Sequence, residues 1–196
     1  MEKKTLFVDS CAWDILHRHQ VELSSELPAE EFEICMTKEV AAFEIPCVPG
    51  GEGASMKGYI EHQIEERGIR VDALFGFSSY GDPPGYRSRL GGFGESRWVT
   101  YTLGALLNEF KVPETGERPT GLYKNEEDAS LAVRSLGGGI VLTAESAAKA
   151  GPLKKAALRG GKIVDLSRFD PAQSSLRDFI LGAAPPSCSP EPGTED

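Results

Sequence analysis

Short apolar runs alternate with helix-period stretches along this chain. Lys4 to Val8 closes on Leu6-Phe7-Val8 and reads as a buried strand that stops abruptly at Asp9. From Ala12 to Gln20, Ala12, Ile15 and Leu16 fall on one side of a predicted helix. Leu23 to Glu31 turns acidic around Pro28, which predicts a loop or a short second helix. Phe32 to Met36 is a second strand. Thr37 then stands at an N-cap position before a helix, Lys38 to Glu44, which Pro46 stops. Between Ala54 and Arg67, Met56, Tyr59, Ile60 and Ile64 recur at helical spacing with charges between them.

The second half repeats the pattern after a long excursion. Residues 69–77, IRVDALFGF, alternate weakly before glycine breaks them, and 78–96 carry glycine, proline and arginine in a loop of functional length. A helix is predicted from Arg97 to Phe110, striped by Val99, Leu103, Leu106, Leu107 and Phe110. Another runs from Asn125 to Leu136 and is ended by Gly137-Gly138-Gly139. Ile140 to Leu142 is a strand, Ser146 to Leu158 a helix interrupted at Gly151-Pro152, and Lys162 to Leu166 a last strand. Strands separated by helices predict an α/β fold with a parallel four- to five-stranded sheet covered by helices. The expected organisation is one domain over 1–182, elaborated at about 47–97, with a disordered acidic, proline-rich tail at 183–196.

Composition narrows the class. At 196 residues, 40% hydrophobic and 26% charged, the chain suits one globular domain. No apolar stretch approaches the roughly 20 residues that span a bilayer, and the N-terminus lacks a signal-peptide pattern. Four cysteines without C-x-x-C spacing, and only three histidines, argue against a zinc cage or a disulfide framework. A cytoplasmic protein with free thiols is expected. The formal charge of −9 disfavours generic polyanion binding, yet acids gathered in one pocket can hold cations that meet a phosphate.

Four acids fall at matching places. Asp9 ends the first strand and Glu145 lies just past the third, where functional crevices of parallel sheets open. Glu44 follows the second strand, and Asp128 sits in the first turn of a helix. Each has a plainer reading: Asp9 and Asp128 as helix caps, Glu44 and Glu39 as solvated groups, Glu145 as a first-turn acid capped by Thr143. Together they would repel one another unless a divalent cation neutralised them, and oxygen ligands suit Mg²⁺ or Mn²⁺. Such a cleft activates water against a phosphodiester. Ser10 and Thr143 are placed to orient water or carboxylate. Arg87, Arg89 and Arg97, interleaved with Tyr86, Phe93 and Trp98, offer phosphate contacts and base stacking.

The blocks LFVDSCAWD, ICMTKEVAAFE and NEEDASLAVRSLGGGIVLTAES…GGKIVDL resemble those of PIN-domain nucleases, over about 4–46 and 98–166. The resemblance implies Mg²⁺ or Mn²⁺ bound by Asp9, Glu44, Asp128 and Glu145, with Glu39, Glu44 or both serving in the second block. It implies cleavage of single-stranded RNA by metal-activated water. Many bacterial members are toxins of toxin–antitoxin pairs, so an antitoxin partner is expected, with room for a homodimer and no membrane association. Two rival classes stand beside it: a PIN-like scaffold without catalysis, and another metal-dependent phosphohydrolase. Cys11 stands where an Asp-x-Asp phosphatase would carry its second acid. The glycine-rich GGFGES lacks a Walker lysine, and no Ser-His-Asp set is visible.

Overall fold

The computed structural model describes residues 2–45, 52–74, 96–97, 101–110, 126–145 and 151–183, with Phe43, Glu44, Glu52, Ser96, Arg97, Tyr101, Thr102, Leu103 and Asn108 described by their backbones alone. The predicted α/β class holds, and the sheet is parallel throughout. Its strands are β1 (Lys4–Val8), β2 (Phe32–Thr37), β3 (Arg70–Leu74), β4 (Ser96–Arg97), β5 (Ile140–Thr143) and β6 (Lys162–Asp165). They lie in the order β4-β3-β2-β1-β5-β6. The sixth strand exceeds the expected four to five. Ser96 and Arg97 pair with Ala73 and Leu74 at the sheet edge, so Arg97 belongs to a strand instead of opening a helix.

Seven helices lie among the described residues: α1 (Ser10–Arg18), α2 (Leu23–Glu26), α3 (Glu52–Arg67), α4 (Tyr101–Phe110), α5 (Glu126–Leu136), α6 (Pro152–Leu158) and α7 (Leu176–Ala183). The first begins two residues before the predicted start, directly after Asp9. The helix after β2 relaxes into a π turn over Val40–Glu44, while Thr37 caps it as expected, Oγ1 accepting from Val40 N at 3.3 Å. The last helix, α7, carries no strong sequence signal and extends the ordered fold to Ala183. Among the described residues no helix is long and apolar enough to cross a membrane.

Both faces of the sheet are buried, and alternation along each strand divides the core in two. Leu6 and Val8 of β1, Phe32, Ile34 and Met36 of β2, and Ile140 and Leu142 of β5 join Trp13, Leu16, Ile60, Leu176 and Ile180. Phe7, Cys35 and Val141 face the opposite way, toward Phe110, Ala129, Ala132, Val133, Leu153 and Ala156. Helices α1, α3 and α7 therefore cover one face, and α4, α5 and α6 the other. The chain winds outward from β1 through β2 and β3, then returns to add β5 and β6 on the other side of β1. The winding reverses between β1 and β5, the place beyond the strands' carboxyl ends where open parallel sheets hold their ligand sites.

The triple glycine sets how closely α5 returns to the sheet. Gly139 N donates to Arg134 O at 3.1 Å and Gly138 takes φ +96°, a helix stop that suits glycine. A Cβ on Gly139 would stand 2.6 Å from the Phe7 ring, so only glycine lets β5 start this close to β1.

Candidate functional site

Asp9 stands at the reversal point. Its backbone N–H donates to Leu142 O at 3.0 Å, extending the pairing of β1 with β5 by one residue. The residue is extended and immediately precedes α1, yet its side chain makes no capping bond. Three neighbours hold the carboxylate instead. Thr143 Oγ1 donates to Oδ2 at 2.7 Å and the Cys11 thiol at 3.0 Å, while Ser10 Oγ donates to Oδ1 at 3.4 Å. The plainer reading of Asp9 as a helix cap is thereby set aside. Asp9 is 3% exposed, and its Oδ1 keeps lone pairs to spare beside one long bond.

The turn after β5 is fastened to the same group. Thr143 Oγ1 accepts from Glu145 N at 3.0 Å, a hydroxyl turn that fixes the backbone of Glu145, a partly buried acid; the start of the helix predicted from Ser146 lies outside the described residues. Ala144 N donates to Cys11 Sγ at 3.2 Å. Burial, and then the Asp9 charge, push the Cys11 thiol up from 9.0 to about 12. Cys11 was expected to be a bland buried thiol; it is a neutral donor to the central carboxylate.

Helix α5 meets the same group from the other face of the sheet. Ser10 N donates to Glu127 Oε1 at 3.2 Å, and Ser10 Oγ stands 3.4 Å from Glu127 Oε2. Two buried carboxylates, Asp9 and Glu127, thus converge on one serine. The sequence reading chose Asp128 on this helix and missed Glu127; Asp128 is partly buried at the next position. One turn further along α5, Ser130 Oγ donates to Glu39 Oε1 at 3.0 Å. Arg134 Nη1 donates to Ser130 Oγ and to Ser130 O, and Nη2 donates to Asp72 O at 2.9 Å and Asp72 Oδ1 at 3.2 Å.

Hydrogen bonds join Asp9, Ser10, Thr143 and Glu127, and the Glu145 backbone meets Thr143; Asp128 follows Glu127 on α5, and Glu39, from the turn after β2, meets Ser130 of that helix. Glu44 lies on the π turn past β2. Arg87, Arg89 and Trp98 lie outside the described residues, as do Cys47 and Cys188. Among the described residues no three His, Cys, Asp or Glu side chains stand close enough to hold a metal ion jointly. The donor chemistry nevertheless fits a hard cation: carboxylate oxygens on three elements, one of them, Glu39 Oε2, buried without a hydrogen-bond partner. No family model, curated protein or solved structure matches this chain.

Proposed function

We propose that this protein is a divalent-metal-dependent nuclease, of the PIN-like kind its sequence blocks resemble, that hydrolyses phosphodiester bonds of single-stranded RNA. One observation carries the reading. A buried aspartate at the winding reversal is diverted from its helix and oriented by Thr143, Cys11 and Ser10, while Ser10 also holds Glu127. A structural cap needs none of this apparatus, whereas a ligand must be held in one rotamer.

Asp9, Asp128, Glu145 and Glu44 are the residues that would hold Mg²⁺ or Mn²⁺, with Glu127 added by the geometry. When bound, such a cation polarises a phosphate oxygen and lowers the pKa of a water for in-line attack. Thr143 and Cys11 keep Asp9 Oδ2 occupied, which leaves Oδ1 with only the long bond from Ser10. Ser10 spaces Asp9 from Glu127, and the Thr143–Glu145 turn sets the distance of the last acid. Asp9 lies at the sheet's carboxyl edge, where β3 and β4 also end.

The test is cleavage of single-stranded RNA by the purified protein with Mg²⁺ or Mn²⁺, against Asp9→Asn, Asp128→Asn and Glu127→Gln. Asp9→Asn is expected to lose about a hundredfold or more, since even residues behind the ligands are worth about 10- to 100-fold. Equal cleavage by wild type and all three variants would sink the nuclease reading. No cleavage together with no metal binding would favour a scaffold.

A further inference from the structure

The buried ion pair of Arg134 and Asp72 takes no part in the nuclease reading. Both side chains are 1% exposed, and they meet at 3.2 Å. Such a pair contributes little net stability, because desolvating two charges offsets their attraction, and its best-attested use is to fix a register. Arg134 Nε is moreover buried without a hydrogen-bond partner, a cost that an apolar side chain would avoid. Stability does not account for the pair; position does.

The contacts of α5 show what is positioned. Glu127, Ser130 and Arg134, three and four apart, lie along one face of that helix. Glu127 accepts from Ser10 N just past β1, Ser130 donates to Glu39 two residues past β2, and Arg134 reaches Asp72 in β3. These three strands are neighbours, so contacts taken in order along the helix fall in order across the sheet. The other packing of α5 is apolar, with Ala129 and Ala132 in it, and apolar contact is non-directional. It buries the helix without choosing how far the helix is turned or slid. Hydrogen bonds to three separate strand ends do choose, since a slip of one residue breaks them all.

Arg134 supplies the anchor at β3, two strands from Asp9. Nη1 holds Ser130 O at 3.1 Å, and also Ser130 Oγ, while Nη2 holds Asp72 O at 2.9 Å and Asp72 Oδ1 at 3.2 Å. The guanidinium lies over the Phe7 ring of β1, 5.4 Å from its centre. A planar fork bonded on both sides ties the helix to the strand in one geometry. We propose that Arg134 and Asp72 are positioning residues that set the register of α5, and so place Glu127 against Ser10 beside Asp9. The consequence for metal binding rests on the nuclease reading above; the register itself does not.

The experiment compares wild type with Asp72→Leu/Arg134→Met, in which apolar groups replace the pair. It reads amide exchange at Ser10 by NMR and Mn²⁺ affinity by calorimetry. Ser10 N–H has Glu127 Oε1 as its acceptor, whereas Asp9 N–H is held by Leu142 O within the sheet. Glu127→Ala supplies the rate of a released Ser10 amide. The double variant is expected to keep a urea midpoint close to wild type and slow exchange at Asp9, while Ser10 exchanges about tenfold faster. Its Mn²⁺ affinity is expected to fall about tenfold, as it does when residues behind metal ligands are changed. Ser10 exchange and Mn²⁺ affinity both unchanged would overturn the proposal and leave the nuclease reading standing. If wild type binds no Mn²⁺, the metal-dependent reading falls, and the Ser10 rates still decide the register. Should the double variant fail to fold, Arg134→Lys, which keeps the charge and loses the fork, must quicken Ser10 exchange for the proposal to stand.

Discussion

The two faces of this sheet are built on opposite terms. Against α1, α3 and α7, the strands present Leu6, Val8, Ile34, Met36 and Leu142, and the layer is closed almost wholly by apolar contact. Its polar exceptions are local: Gln63 accepts from Leu23 N at 2.8 Å, and the Tyr59 hydroxyl donates to Val21 O at 2.5 Å. The face under α5 has fewer large apolar groups, and an ion pair, two serines and three glutamates are buried in it. Burying such groups costs desolvation that their pairing barely offsets, whereas the apolar face gains about 25 cal/mol for every Å² removed from water. The first face holds the fold together; the second spends stability to hold side chains at set positions.

The largest expected effect tests that contrast at Asp72. Removing one partner of the buried pair, as in Asp72→Leu, leaves Arg134 uncompensated and is expected to cost about 3–5 kcal/mol. Adding Arg134→Met should restore most of that loss in urea unfolding, because the paired charges contribute little net stability. A double variant as unstable as the single would erase the distinction between the faces. Next in size is Leu16→Ala on the apolar face, fully buried in the wild type, with an expected loss of about 2–5 kcal/mol. Its folded fraction should bind Mn²⁺ like wild type; weakened affinity would mean the faces are coupled.

The smallest effect sharpens the comparison through pH. The Cys11 thiol titrates at about 12 when folded, against 9.0 ordinarily, so above pH 9 the unfolded chain binds fewer protons than the folded one. Stability contributed by the protonated thiol is present below pH 9 and declines as pH rises toward 12. Urea midpoints should fall more between about pH 8 and about pH 10.5 for wild type than for Cys11→Ala. Equal falls would show that the thiol is not held protonated beside Asp9.

How much could be read beforehand differs between the faces for the same reason. Strands β1, β2, β5 and β6 announce themselves as apolar runs because both of their sides are buried. In β3, exposed Val71 and buried Asp72 invert the usual code, since Asp72 answers to Arg134 sixty-two residues away. The pairing of β4 is two residues long and is set by its neighbour, beyond any local signal. Asp9, Thr143 and Glu145 were legible from their place after strands. Glu127 was missed because the resemblance placed the ligand on Asp128, the next position along the helix. A usable signal was there: Glu127, Ser130 and Arg134, spaced by three and four, form a polar stripe on a helix otherwise rich in alanine and leucine.

The placement of β1 has a consequence for how the molecule is made. One of its edges pairs with β2, Lys4 opposite Phe32, a short way along the chain; the other waits for Ile140 opposite Leu6, far later in the sequence. Contacts so distant in sequence form late, since the entropy of closing the intervening loop is lost before they reward it. The β1–β2–β3 half can therefore assemble while the far edge of β1 stands open, a template for pairing with other chains. Thr143 reaches Asp9 only when β5 docks on that edge. The event that seals the nascent protein against aggregation is the same one that orients its central carboxylate.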